Sequence, residues 1–438
     1  MTIYERGRWL DSKTPVTDDP RRLPVPPRAE SSEPPLVLLG GRVFDGVDGE
    51  VRSGTIVLRG NRIERVLWEE DPDLPADARI IDARGKTVIP GLIDLHTHLT
   101  YQEPGEMVRE TLSLADATLR GVEKMKFYLA SGITSVRDAG SQMEVPFRLK
   151  AWATANRVPG PRIFPAGCLI TGTGGHGAED LSRVSAAYGT MREASGPDDW
   201  REAVREMFKA GADVIKVASH FSREEIAAAV DEAHTLGLRV MCDAETHYID
   251  WAVEAGVDCI EHPLPRTNEA IQEMAKRGVA SVPTLIPYII IFDQYGGYFH
   301  STSRRFTFSK EDNLELVRNM HDAGVKIGVG TDLVSDWFRL LPDAYIRELK
   351  ELTRAGMTEP EALLAATRSS AEILDMIDRL GTLEPGKLAD VLVIDGRPDE
   401  NLDDLGRPEM VIRDGQIMVR DGSLVVPAPE AISMAELK

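Results

Sequence analysis

The sequence is poor in the residues on which several protein classes depend. Its 438 residues include three cysteines, Cys168, Cys242 and Cys259. An odd number with no C-x-x-C spacing excludes a disulfide framework and a thiolate zinc site, so free, buried thiols are expected. Dense basic runs are absent, and 71 acidic against 51 basic side chains leave a formal charge of −20. Binding a phosphate backbone needs a basic face, so a nucleic-acid partner is excluded. Long apolar runs are lacking too. The longest, Val282 to Phe292, contains Pro283 and Pro287 and is too short to span a bilayer, so no membrane role is expected. The opening residues hold no apolar segment of the kind a secretory signal carries, and a cytoplasmic protein is the expectation.

What is present is an ordinary globular composition, 42% apolar and 28% charged. The chain is long enough for one large α/β barrel with additions, or for two or three smaller domains. Residues 1–35 read as a Pro-rich arm. LVLLGGRVFDG, SGTIVLRGNRIERVL and ARIIDARGKTVI then alternate β-branched and polar residues between Gly and Asn turns, the pattern of a small antiparallel unit. The same texture returns in GKLADVLVIDG and EMVIRDGQIMVRDGSLVV. Residues 36–88 and 381–438 are therefore expected to form one composite β-sandwich.

Between them, over residues 89–380, short apolar runs alternate with helical segments. GLIDLHTHL, ITSVRDAG, RIFPAG, DVIKVAS, GLRVMCDAE, DCIEHP, ASVPTL and KIGVGTDL make eight such runs. Strands alternating with helices imply a parallel sheet. Eight is the number that closes a (β/α)8 TIM barrel, an α/β fold whose chemistry lies at the carboxyl ends of its strands.

Those ends carry the chemistry-bearing residues. His96 and His98 sit two apart on the first run, so both rings leave one face and can reach one metal ion. Lys216, Asp243, His262 and Asp332 follow at the ends of later runs. Lys216 lies among apolar neighbours, where a desolvated ammonium is costly and calls for a partner or a modification. Taken singly, His262 could be a core histidine and Asp332 a helix cap. Their order along the strand ends argues for one site.

With these motifs in place, the chain from about Leu36 resembles the amidohydrolase superfamily, specifically its imidazolonepropionase-like and prolidase-like members. The resemblance rests on VIPGLIDLHTHL, GITSVRDAG, the AGVDCIEH turn, PTL, Thr331-Asp332 and GTLEPGKLADVLVIDG. It implies two divalent ions, one held by His96, His98 and Asp332, the other by His262 and a residue of strand five, with N-carboxylated Lys216 between them. Zinc is the ion expected, with cobalt or manganese as alternatives. Most relatives carry histidine on strand five, whereas this chain aligns Asp243. Asp243 is the preferred ligand, Glu245 and His247 remain alternatives, and the number of ions stays open.

His176, in the glycine-rich TGTGGHGAED, is where the resemblance suggests contact with substrate. Tyr288, after PTL, is a candidate pocket wall, against the plainer reading of a core tyrosine. The resemblance further implies hydrolysis of a C–N bond in an amide, dipeptide or N-acyl amino acid by a metal-activated hydroxide, with Asp332 as acid and base. Carbamates, ureas or xenobiotic amides are the alternative substrates. A mononuclear cyclic-amidine deaminase and a non-catalytic scaffold are the competing readings. The expected partner is a small-molecule substrate, and a homo-oligomer follows only from the resemblance.

Overall fold

The computed structural model describes residues 34–70, 72–101, 113–142, 144–178, 189–295 and 309–425. Residues 1–33 of the expected arm lie outside the described residues, as do the last two of TGTGGHGAED.

The strands of the two chain ends hydrogen-bond to each other. Thr87–Pro90 runs antiparallel to Val391–Ile394, with Ile89 opposite Leu392, and this pairing joins nine strands into one sheet. Leu36, Leu38, Val43, Ile56, Val391 and Ile412 bury one core on it. The pairing among the described residues gives one continuous sheet and does not by itself make the two layers of a sandwich. Nor is the N-terminal part purely antiparallel, as its alternation suggested. Leu36–Phe44 pairs in parallel with both Arg79–Asp82 and Thr87–Pro90. A register break after Leu38 in its ladder with Val51–Arg59, where Gly40 adopts φ 68°, falls between the stretches that pair with these two partners.

The central strands are parallel. Leu92–Thr97, Ile133–Asp138 and Arg162–Pro165 form one sheet, and Val214–Ala218, Arg239–Asp243, Cys259–Glu261 and Ala280–Val282 lie in order in another. Backbone bonds link the two. Asp213 N donates to Pro165 O at 2.9 Å, and on the other side Ser281 N donates to Lys326 O at 2.9 Å while Leu95 N donates to Val329 O at 2.7 Å. Residues 326–329 thus bond to Ser281 on one side and to Leu95 on the other. Every residue of these seven strands but Arg162 and Arg239, each at a strand's first position, is buried, as expected of parallel strands covered on both faces.

Helices connect them. Ser222 caps Arg223–Thr235, accepting from Glu225 N while Glu225 reaches back to Ser222 N, a reciprocal cap that satisfies two otherwise orphaned donors. Among the described residues no helix is long and apolar enough to cross a membrane.

Candidate metal centre

Alternation along the parallel strands sets which side chains share a face. Val214, Met241 and Cys259 contribute to one buried apolar cluster with Leu95. Two residues further along the same strands come Lys216, Asp243 and Glu261, all buried. A period of two therefore delivers three ionisable groups onto a face whose lower layer is apolar.

His96 departs from simple alternation. The ladder between Leu92–Thr97 and Ile133–Asp138 shifts register between Asp94 and Thr97, and His98 lies one residue beyond the strand. The two rings still come together, 5.2 Å between centroids. Asp332 joins them because its N–H donates to His96 O at 2.7 Å, pinning residues 330–332 to the His96 backbone. Asp332 holds φ 45°, a conformation aspartate tolerates better than most residues. Its Oδ1 lies 3.3 Å from His98 Nε2 and 3.7 Å from His96 Nε2. The donor atoms of His96, His98 and Asp332 all fall within 4.8 Å of one another.

The histidines share a design. His96 Nδ1 donates to Glu261 Oε2 at 2.7 Å, and His98 Nδ1 donates to Gly140 O at 2.7 Å. The Gly140 carbonyl can only accept, so the His98 ring carries its hydrogen on Nδ1; His96, facing a carboxylate whose other oxygen meets Arg137, takes the same form, and both turn Nε2 toward Asp332. His262 Nδ1 lies 2.7 Å from Thr284 Oγ1, and its Nε2 faces Asp243 Oδ2 at 3.0 Å. Burial pushes the His96 and His262 imidazoles below their usual range and favours the neutral form a metal needs. Burial opposes charge on Asp332, and where the rings of His96, His98 and His262 carry charge their attraction outweighs it and holds the carboxyl below the usual range. Neutral imidazoles beside an ionised carboxylate are a competent donor set for zinc.

Two polar atoms at the site are left unsatisfied. His96 Nε2 and Lys216 Nζ are buried without a hydrogen-bond partner. Such orphans are rare in native interiors and are explained where a metal or a modified side chain completes the site.

The remaining expected residues divide. His176 comes to the site, its Nε2 3.4 Å from Asp243 Oδ2, because its backbone N–H donates to Ser219 O at 2.6 Å. Tyr288 is buried with its ring 5.9 Å from that of His262. Glu245 instead accepts from Ser219 Oγ at 2.8 Å, and His247 is exposed at the first turn of the helix His247–Ala255, against Tyr248 and Trp251. Of the three strand-five residues, Asp243 is the one placed against His262.

Four residues went unsignalled in the motif reading. Asp94 accepts from Thr331 Oγ1 at 2.5 Å, Thr331 N at 3.0 Å and His96 N at 3.1 Å, tying the His96 strand to the Asp332 segment. Burial lifts its carboxyl to about 7. Tyr101 stacks on His98 with centroids 4.0 Å apart. Arg137 donates to Glu261 Oε1 at 2.7 Å. For Asp94, Arg137 and Glu261 the available signal was charge inside the apolar runs GLIDLHTHL, ITSVRDAG and DCIEHP, which a buried strand tolerates only when paired; Tyr101 carried none.

The chain is similar to several known proteins. The model of the amidohydrolase family matches residues 87–418. The imidazolonepropionase of Geobacillus kaustophilus is 25% identical over 426 residues, spanning 86% of this chain and 91% of that protein. The ochratoxinase of Aspergillus niger is 26% identical over 440 residues, 91% of this chain and 88% of that protein. Among solved structures, a prolidase complexed with N-methylphosphonate-L-proline superposes with a TM-score of 0.78 at 32% identity, covering 88% of this chain and all of that one. These neighbours imply a TIM-barrel fold with mixed α/β content, and the resemblance read from the motifs is borne out: the chain belongs to the amidohydrolase family.

Proposed function

We propose that the chain is a metal-dependent hydrolase of C–N bonds, acting on dipeptides or N-acyl amino acids. The proposed frame is a (β/α)8 barrel over residues 89–380 closed through residues 326–332, with the chain ends joined in a second domain. One observation carries the functional reading. Three side chains from two distant segments, His96, His98 and Asp332, turn their donor atoms onto one point while their remaining ring nitrogens are tied to fixed acceptors.

His96, His98 and Asp332 would hold one ion, and Asp243 and His262 a second, with Lys216 N-carboxylated between them. Zinc is favoured by the imidazole and carboxylate donors, with cobalt or manganese as substitutes. Bound ions would supply Lewis acidity toward the carbonyl and lower the pKa of water toward neutrality. Asp332, ionised and aimed at the same point, takes the proton of the attacking water and delivers it to the amine as the C–N bond breaks. His176 and Tyr288 flank Asp243 and His262, and are assigned to holding the substrate. A soluble, cytoplasmic homo-oligomer belongs to the same reading.

The reading is tested by a mass-spectrometric hydrolysis screen that sets dipeptides and N-acyl amino acids against aryl amides, ureas and carbamates. Turnover confined to the second group would replace the substrate class proposed here. Turnover of neither would count against hydrolysis itself. A second reading, a single-metal deaminase of cyclic amidines, is favoured by the fact that one donor group among the described residues closes to within 4.8 Å. One ion per chain, ammonia release and an active Lys216→Ala variant would establish it over the first.

A further inference from the structure

We infer that Glu261 is the positioning residue that commits His96 to bind metal through Nε2, and that Arg137 acts on the site only through Glu261. The inference rests on the reading of His96 as a metal ligand. It concerns residues that hold no ion themselves.

The four groups form a closed ring through the interior. His96 Nδ1 donates to Glu261 Oε2 at 2.7 Å, Arg137 Nη2 donates to Glu261 Oε1 at 2.7 Å, and Arg137 Nε donates to Leu95 O at 2.6 Å, one residue before His96. The ring spans three strands, Leu92–Thr97, Ile133–Asp138 and Cys259–Glu261. It is dry. His96 is 1% exposed, Arg137 2% and Glu261 0%.

Arg137 fixes the carboxylate that orients the ring. Its guanidinium meets one oxygen of Glu261 and leaves the other to accept from His96 Nδ1, so the ring hydrogen stays there. Nε2 is then the free donor, and it is the atom found buried without a partner, 3.7 Å from Asp332 Oδ1. His98 receives its tautomer from a neutral carbonyl, that of Gly140. His96 receives it from a carboxylate that Arg137 holds in place, an orienting partner of a different kind.

A purely structural ion pair would use the same bonds, so the test reads the metal rather than the fold. Glu261→Gln, Arg137→Met and the double variant are stripped of metal and their melting followed by circular dichroism. Affinity for zinc ions is then measured by competition with a chromophoric chelator. The expected result is a Glu261→Gln protein that folds yet binds its tighter ion about 10- to 100-fold more weakly. Arg137→Met should lose less, and the double variant should match Glu261→Gln instead of multiplying the two losses. If Glu261→Gln alone fails to fold, the double variant, which leaves no unpaired buried charge, carries the affinity measurement. Unchanged affinity with lowered melting would overturn the inference and leave an ordinary buried ion pair. Multiplying losses would overturn the route through Glu261. A parent protein that binds no divalent ion would remove the metal reading and this inference together.

Discussion

Asp243 Oδ2 lies 3.0 Å from His262 Nε2, each at or just past the end of its own strand, with the helix His247–Ala255 between them in the chain. A carboxylate oxygen and an imidazole nitrogen at that separation are close enough for both to reach one ion. Asp243→Ala is therefore expected to lower metal content from two ions per chain to one. His176→Ala, which alters a residue assigned to substrate, should leave the count unchanged and raise KM. Inductively coupled plasma mass spectrometry on both variants, with kinetics on the second, reads the difference. Two ions retained by Asp243→Ala would remove it from the ligand set.

Asp332 is asked to move a proton as well as to sit beside the ion. Asp332→Asn keeps an oxygen donor in place but cannot serve as a base near neutrality. It should retain at least one ion per chain and lose roughly 10²- to 10⁴-fold in kcat, the range general acid–base groups contribute. Near-normal turnover with metal bound would take Asp332 out of the mechanism.

Close approach of the Asp332 segment to His96 depends on Gly330. A Cβ there would meet Val282 Cγ1 at 2.5 Å, His96 Cβ at 2.7 Å and His96 N at 3.0 Å. The two His96 atoms cannot retreat without moving its strand. Gly330→Ala is expected to cost about 1–3 kcal/mol of stability, as overpacked cores do, and to weaken metal binding because Asp332 is displaced with it. Denaturant melts of the metal-free protein separate the two effects.

Glu348 gives a pH dependence away from the metal ligands. Its carboxylate accepts from Leu285 N and Ile286 N, both at 2.9 Å, at the start of the helix that carries Tyr288. Burial lifts its pKa to about 8 against 4.5 in the unfolded chain, outweighing those two bonds. The native state then holds a proton that the unfolded chain has released between these values, so this contribution to stability is full below about pH 4.5 and is lost as pH rises toward 8. In melts of the chelated protein, Glu348→Gln should lose stability less steeply than the parent over that window. Parallel profiles would show that Glu348 does not titrate there.

How much of this was legible follows from what a sequence records. His96, His98, Lys216, His262 and Asp332 stood out because each is a polar residue ending an apolar run, a local signal. Arg137 and Glu261 are local anomalies too, but their meaning lies in a partner 124 residues away, and pairing at that distance leaves no trace in a window of ten residues. Asp94 and Thr331 are 237 residues apart for the same reason. The two-residue spacing of His96 and His98 pointed correctly to a shared face, though an irregular strand end, not simple alternation, brings the rings together. At the chain ends, alternation gave the strands but not their partners, and one edge of Leu36–Phe44 turned out to serve two parallel neighbours.

The claim on which everything else stands is that His96 and His98 hold a metal ion. It is tested most directly by measuring metal per chain, by inductively coupled plasma mass spectrometry, on parent and His96→Asn/His98→Asn proteins expressed with metal in excess. The account predicts bound divalent metal in the parent and the loss of at least one ion per chain in the double variant, with circular dichroism unchanged. A metal-free parent, or a double variant that retains its full complement, would contradict it.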